Sequence, residues 1–142
     1  MPAAQDADSG QTVQIYITVL RYSVSAQEGP IWILTHTCST IVHSDDATQC
    51  VPQLLPSDAR TQIADALPYA VQWVDESPVK GIDNPEHGML VTLGPIEHVG
   101  AEVNVAIVTW CGGLCAEGKT LVLHETSGTW SVTGSTGPRW VS

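Results

Sequence analysis

Between Thr12 and Val24 the apolar residues Val13, Tyr16, Ile17, Leu20 and Val24 recur every three or four positions. The polar residues Gln14, Thr18, Arg21 and Ser25 keep the same spacing on the complementary side. Val, Ile and Tyr are good strand formers, but this spacing is helical and predicts a helix with one apolar stripe. Ser9 or Asp8 is placed to cap it, and Gly29-Pro30 lies beyond its end.

Ile31-Trp-Ile-Leu-Thr-His-Thr37 is a short apolar, β-branched run that predicts a strand. A polar loop over 38–55 follows, with Asp45-Asp46 and with Pro52 and Pro56 at its end. Next comes a compact helix, capped by Ser57 and facing Ala59, Ile63, Ala66 and Leu67 inward. Pro68 stops it, because its ring disfavours helix at the residue before. Val71-Gln-Trp-Val74 predicts a second strand, and the prolines and glycine of 76–87 predict a loop.

From Met89 the pattern is β throughout: 89–96, 102–110, 120–126, 130–134 and a last short strand over 139–141. Ser127-Gly128 reads as a two-residue hairpin turn. Links this short force antiparallel neighbours, since a parallel crossover needs a dozen or more residues. The expected fold class is α+β: a curved antiparallel β-meander in the C-terminal half, packed against two N-terminal helices. One domain is expected over 11–142, after a disordered polar leader at 1–10 that lacks the basic start and apolar stretch of a signal peptide.

Charge narrows the partners. Fifteen Asp and Glu against five Lys and Arg leave a formal charge of −10. Arg21, Arg60, Lys80, Lys119 and Arg139 are scattered, so no patch exists to displace phosphate counterions. Nucleic acids and anionic membrane surfaces are therefore not expected partners. No apolar run reaches the roughly 18–20 residues that span a bilayer.

The four cysteines fall in two local pairs, Cys38 with Cys50 and Cys111 with Cys115. Sequence does not choose among their connectivities. The local pairing is the simplest, since each pair brackets one loop and would contribute about 2–3 kcal/mol in the chain-entropy model. Two disulfides in an exported protein are the expectation, with a cytoplasmic protein as the alternative. Zinc sites use tighter spacings than Cys38 to Cys50 allows, and a redox motif has two residues between its cysteines rather than three. Free buried thiols remain the other alternative.

The histidines show no metal-binding spacing, and no phosphate loop or nucleophile elbow occurs. No metal or cofactor is implied. His43 with Asp45 and Asp46 reads as a solvated loop. His36, Asp75, His98 and His124 are the candidates for acid–base chemistry. Trp32, Trp73, Trp110 and Trp130 are candidates to line a ligand cavity, although strand tryptophans more often serve the core.

Trp110-Cys-Gly-Gly-Leu-Cys-Ala-Glu-Gly-Lys-Thr-Leu-Val-Leu123, then Gly128-Thr-Trp-Ser-Val-Thr-Gly134 and Gly137-Pro-Arg-Trp-Val-Ser142, resembles a group of small bacterial proteins of uncharacterised function, often exported. The likeness covers about residues 88–142. More distantly, the meander with its Gly-x-Trp hairpin is similar to cystatin- or NTF2-like (SnoaL-like) cones. That resemblance implies a pocket between sheet and helices in a family of both enzymes and binders. The functional expectation is a non-enzymatic exported domain that binds a small apolar molecule or a protein. The alternative is an NTF2-like enzyme acting on a small apolar substrate by acid–base chemistry.

Overall fold

Alternate residues of two neighbouring C-terminal strands are buried, and together they form one floor. Val103, Val105 and Ile107 are each 1% exposed, and Leu121 and Leu123 match them across the next strand. Their strands belong to a computed structural model that describes residues 2–24, 31–38, 52–75, 89–112 and 115–141. For 2–9, 38, 52–53, 111–112, 115–116 and 138–141 it describes the backbone alone. Cys50, His43, Asp45, Asp46 and the loop expected over 76–87 lie outside the described residues.

The elements run α1 (Pro2–Ser23), β1 (Ile31–Leu34), β2 (His36–Cys38), β3 (Pro52–Leu54), α2 (Ser57–Ala66) and β4 (Val71–Val74). The meander follows as β5 (Met89–Val99), β6 (Glu102–Gly112), β7 (Cys115–Thr126) and β8 (Thr129–Val141). Six strands form a sheet in the order β4-β1-β5-β6-β7-β8, and β2 with β3 forms a separate ribbon. The α+β class and the antiparallel meander of the C-terminal half are both present.

The sheet is mixed, however. β1 lies between β4 and β5 and runs parallel to both. Short links explain the antiparallel β5–β8, whereas β1 reaches β4 only after the β2–β3 ribbon and α2. That long excursion permits a parallel return.

Helix α1 is longer than its stripe predicts. Its backbone takes in the residues expected as a leader, and Pro2 sits where a missing N–H leaves no bond unmade. Val13, Tyr16, Ile17, Leu20 and Val24 are buried as the spacing predicts, but so are Ile15 and Val19, 1% and 0% exposed. The helix packs on α2 and on β8 as well as over the floor, so more than one stripe is covered. Each fully buried Ile or Leu contributes about 1.5–3 kcal/mol relative to exposure.

In α2, Pro56 takes the N-cap position and no side chain caps the helix, so Ser57 is its first residue and not its cap. Ala59 and Ile63 face inward and Leu67 is buried just after the helix, but Ala66 is exposed. Leu55 takes up core space at the other end of the helix, 5% exposed.

The run predicted as one strand over 31–37 breaks at Thr35, where the chain leaves the main sheet for the ribbon. Thr35 N–H donates to the Val74 carbonyl (2.9 Å) and its carbonyl accepts from Leu55 N–H (2.8 Å). Its hydroxyl donates to Asp75 Oδ1 at 2.8 Å. A residue only 3% exposed thus has its polar groups bonded as it changes sheets.

The meander's ends also differ from expectation. β7 starts at Cys115 rather than Thr120, Gly112 pairs with Cys115, and Cys111 occupies a bulge between that pair and Trp110–Ala116. The side chains of Cys38, Cys111 and Cys115 lie outside the described residues, as does their pairing. β8 is one strand where two short ones were expected. The predicted hairpin turn is present, with Ser127 at φ 53° and Gly128 at φ 80°, the left-handed pair that a type I′ turn requires.

Candidate functional site

A recess arises where β5 bends. Between Leu93–Ile107 and Ile96–Val105 the β5 strand carries one extra residue, so Gly94-Pro95 forms a bulge. Proline has no N–H to lose from a ladder, and glycine permits the close approach a bulge needs. Here the approach is tight: a Cβ on Gly94 would stand 3.0 Å from the Ala106 Cβ. The freed Gly94 carbonyl accepts a buried hydrogen bond of 2.7 Å from the Tyr16 hydroxyl of α1.

Beyond the bulge, β5 diverges from α1 and α2 and leaves an open cleft of about 940 Å³. The first half of the described α1, the β3–α2 junction and the end of β5 enclose it. Its floor is apolar and buried: Val13, Ile15, the Tyr16 ring, Leu55 and Ala59. Its rim is polar, with Gln11 and Thr12 half-buried and Asp58, Gln62 and His98 exposed. Leu54, 64% exposed, adds an apolar lip.

Among the described residues, no Lys or Arg lines the cleft. Asp58 is the one carboxylate there among the described residues, in the first turn of α2, where the helix dipole favours negative charge. Burial raises the Tyr16 phenol far above its ordinary value, so this hydroxyl keeps its proton and stays a donor. A cleft of this kind suits an apolar body carrying neutral or positively charged hydrogen-bonding groups. Among the described lining residues, anions would find no countercharge.

The sequence candidates are dispersed. His98 alone of the four acid–base candidates lines the cleft. His36 is half-buried in β2, and His124 is half-buried on the sheet face opposite the helices. Asp75 is engaged by Thr35. None of these histidines is hydrogen-bonded or ion-paired to a carboxylate among the described residues.

The tryptophans are divided by the pleat. Trp130 is in the core, 9% exposed, and lines a smaller groove of about 330 Å³ with Gln14 and Arg21 of α1. Trp73 packs half-buried at the core edge, and its indole N–H is buried without a hydrogen-bond partner among the described residues. Trp32 and Trp110 lie half-buried on the opposite face. None lines the larger cleft. Among the described residues no three His, Cys, Asp or Glu side chains gather closely enough to hold a metal ion, and no helix is long and apolar enough to cross a membrane.

Gln11, Asp58, Gln62 and Ile96 went unmarked in sequence because each is ordinary alone. The available signal was Gly94-Pro95 inside a strand pattern, which marks a bulge and hence a place where a sheet opens. Comparison with protein-family models, with curated proteins and with solved structures finds no match to this chain.

Proposed function

We propose that the protein is a non-enzymatic binding domain that takes a small molecule in the cleft between α1, α2 and the bulged end of β5. One observation supports this reading above the rest. The cleft combines a buried apolar floor with a polar rim, the usual composition of a small-molecule site, and its volume lies within the range of such sites. The preferred ligand has an apolar body and neutral or amine groups, because among the described residues Asp58 is the rim's carboxylate and no cation faces it. An exported location goes with this proposal through the resemblance of the C-terminal third, with its two local cysteine pairs.

The experiment is a thermal-shift screen of ligands matched in apolar body and differing in charge. Binding at about 100 times Kd stabilises by about 2.7 kcal/mol, a shift of several degrees for a domain this size. Amine and neutral members are expected to raise Tm, and carboxylate members are not. Ala59→Trp, which fills the floor, should abolish the response while leaving a folded protein. If no class shifts Tm, or if the response survives Ala59→Trp, the assignment to this cleft is lost.

The enzyme alternative draws on His98 and Asp58 lining the same cleft. General acid–base work needs such groups within hydrogen-bond reach of the substrate. Turnover of a bound ligand that disappears in His98→Asn, with binding retained, would favour it over simple binding.

A further inference from the structure

β5 runs on well past the strand beside it. β1 pairs with β5 at Met89, Leu90 and Val91, so among the described residues the rest of β5 has no strand on that side. The β2–β3 ribbon stands beside β5 without pairing to it. Thr37 and Leu54 of the ribbon line the same cleft as Ile96 and His98 of β5. The cleft therefore follows an open strand edge.

The turn at the end of β5 fixes which backbone groups face that edge. Gly100 and Ala101 join β5 to β6, with Gly100 at φ 62°, and Val99 pairs with Glu102. Residues that flank a two-residue turn exchange both hydrogen bonds, and bonded pairs then alternate along the ladder. Glu97 and Asn104 are therefore bonded as well. Ile96 and His98 turn their N–H and C=O groups away from β6. Two donors and two acceptors thus stand along the cleft wall at the repeat of a strand, and none of them is bonded among the described residues.

From these groups we infer that the cleft's ligand is a short free peptide, which adds to β5 as a three-residue antiparallel strand. The inference rests on the binding reading above and names the ligand class of the same site. In such additions main-chain bonds give affinity and alternate side chains give specificity. Peptide residues opposite Ile96 and His98 each exchange both bonds with β5, so three residues satisfy all four groups. A parallel strand needs five residues for the same bonds. The Gly94-Pro95 bulge would guard a longer edge. It lies just before Ile96 and limits the added strand to this length.

The register also specifies the side chains. Ile96 and His98 share the face of Val105 and Val103, which the helices cover. The peptide's two outer residues therefore point to the side of the apolar floor, with its Val13 and Tyr16. β-Branched apolar residues suit that place and the strand conformation. The middle residue points to the other face, opposite exposed Glu97, where a cation makes a favourable cross-strand pair. A chain of charge −10 also attracts a cationic peptide.

The probe is acetyl-Val-Lys-Val-amide, titrated into the full chain to about 5 mM and followed by amide nuclear magnetic resonance. Three analogues are each N-methylated at one residue. Methylation of either Val removes a bonded N–H and should weaken binding by about tenfold or more. Methylation of the Lys, whose N–H points away from β5, should change Kd by less than about threefold. Exchange of the Ile96 and His98 amides should slow on binding, while Glu97 and Val99 keep their rates. The analogue with Glu in place of Lys should bind up to about fivefold more weakly. Equal loss from all three methylations overturns the proposal, as does binding that survives methylation of a Val. Unslowed Ile96 and His98 amides, or a tighter-binding Glu analogue, also overturn it. A cleft that takes apolar amines but not the peptide ends this inference and leaves the binding reading standing. A cleft that takes neither loses both.

Discussion

The Tyr16 hydroxyl donates to the Gly94 carbonyl at 2.7 Å, joining the middle of α1 to the bulge in β5. That bond lies beside the cleft and fixes how far the helix stands from the bent strand. Tyr16 is 2% exposed, so the phenol and its acceptor have no water to turn to. Tyr16→Phe keeps the ring and leaves a buried carbonyl unpaired. A loss of about 1–3 kcal/mol is expected in urea unfolding, with native far-ultraviolet dichroism retained. A loss under about 0.3 kcal/mol would mean that the carbonyl finds another donor.

Gly94 itself cannot carry a side chain without cost. Its added Cβ would meet the Ala106 Cβ at 3.0 Å, and the Ala106 oxygen and nitrogen at 3.2 and 3.3 Å. Backbone atoms of a paired strand have no room to yield. Gly94→Ala should therefore destabilise by about 1–3 kcal/mol, the usual range for overpacking. Gly134→Ala is the control, since nothing lies within 4 Å of its added Cβ, and it should stay within about 0.5 kcal/mol of the parent. Equal effects at the two sites would refute the steric account, and chemical denaturation of both variants decides it.

Much of the meander was legible because local rules govern it. Val103, Val105 and Ile107 alternate with Asn104 and Ala106, and Ser127-Gly128 is a two-residue turn with both φ values positive. The parallel pairing of β1 with β4 and β5 was not legible. It depends on partners far apart in sequence, and no periodicity within Ile31–Leu34 names them. Thr35 looked like the middle of a strand because it is β-branched and flanked by apolar residues. Only its three bonds to distant groups show that the chain turns there.

The cleft was harder still. Its residues come from α1, the start of α2 and the end of β5, and no short motif unites them. Tryptophans drew attention by their size, yet alternation along each strand sends Trp32 to one face and Trp73 to the other. His98 falls between the expected strands 89–96 and 102–110, but it is the penultimate residue of β5, which carries it to the rim.

Thr35 and Asp75 offer a test of how the sheet change is held. The hydroxyl donates to a carboxylate, a stronger bond than one between neutral groups. Thr35→Val preserves shape and should cost about 1–2 kcal/mol. Asp75→Ala removes the same bond from the other side. In a double-mutant cycle the pair should couple by about 1 kcal/mol, so that the double variant is little worse than Thr35→Val alone. Strict additivity in unfolding free energies would show that the 2.8 Å contact contributes nothing.

The two packed tyrosines make stability depend on alkaline pH. Burial raises the Tyr16 phenol far above its ordinary value. It pushes Tyr69 up to about 12, against the lowering effect of nearby Arg21. Tyr69 also donates to the Leu20 carbonyl at 3.2 Å, so its neutral form is the one that fits. In the unfolded chain both phenols titrate near pH 10. The folded state therefore holds protons that the unfolded state gives up, and the stabilisation these groups supply is complete below about pH 10. It is lost as pH rises through the folded values, beginning with Tyr69 between about pH 10 and 12. Tm should be flat with respect to these groups from about pH 7 to 9 and fall above about pH 10. Tyr69→Phe and Tyr16→Phe each remove one titrating group, so each should make the alkaline fall shallower. The double variant should be the flattest. A double variant whose Tm falls as steeply as the parent's would place the alkaline sensitivity elsewhere in the chain.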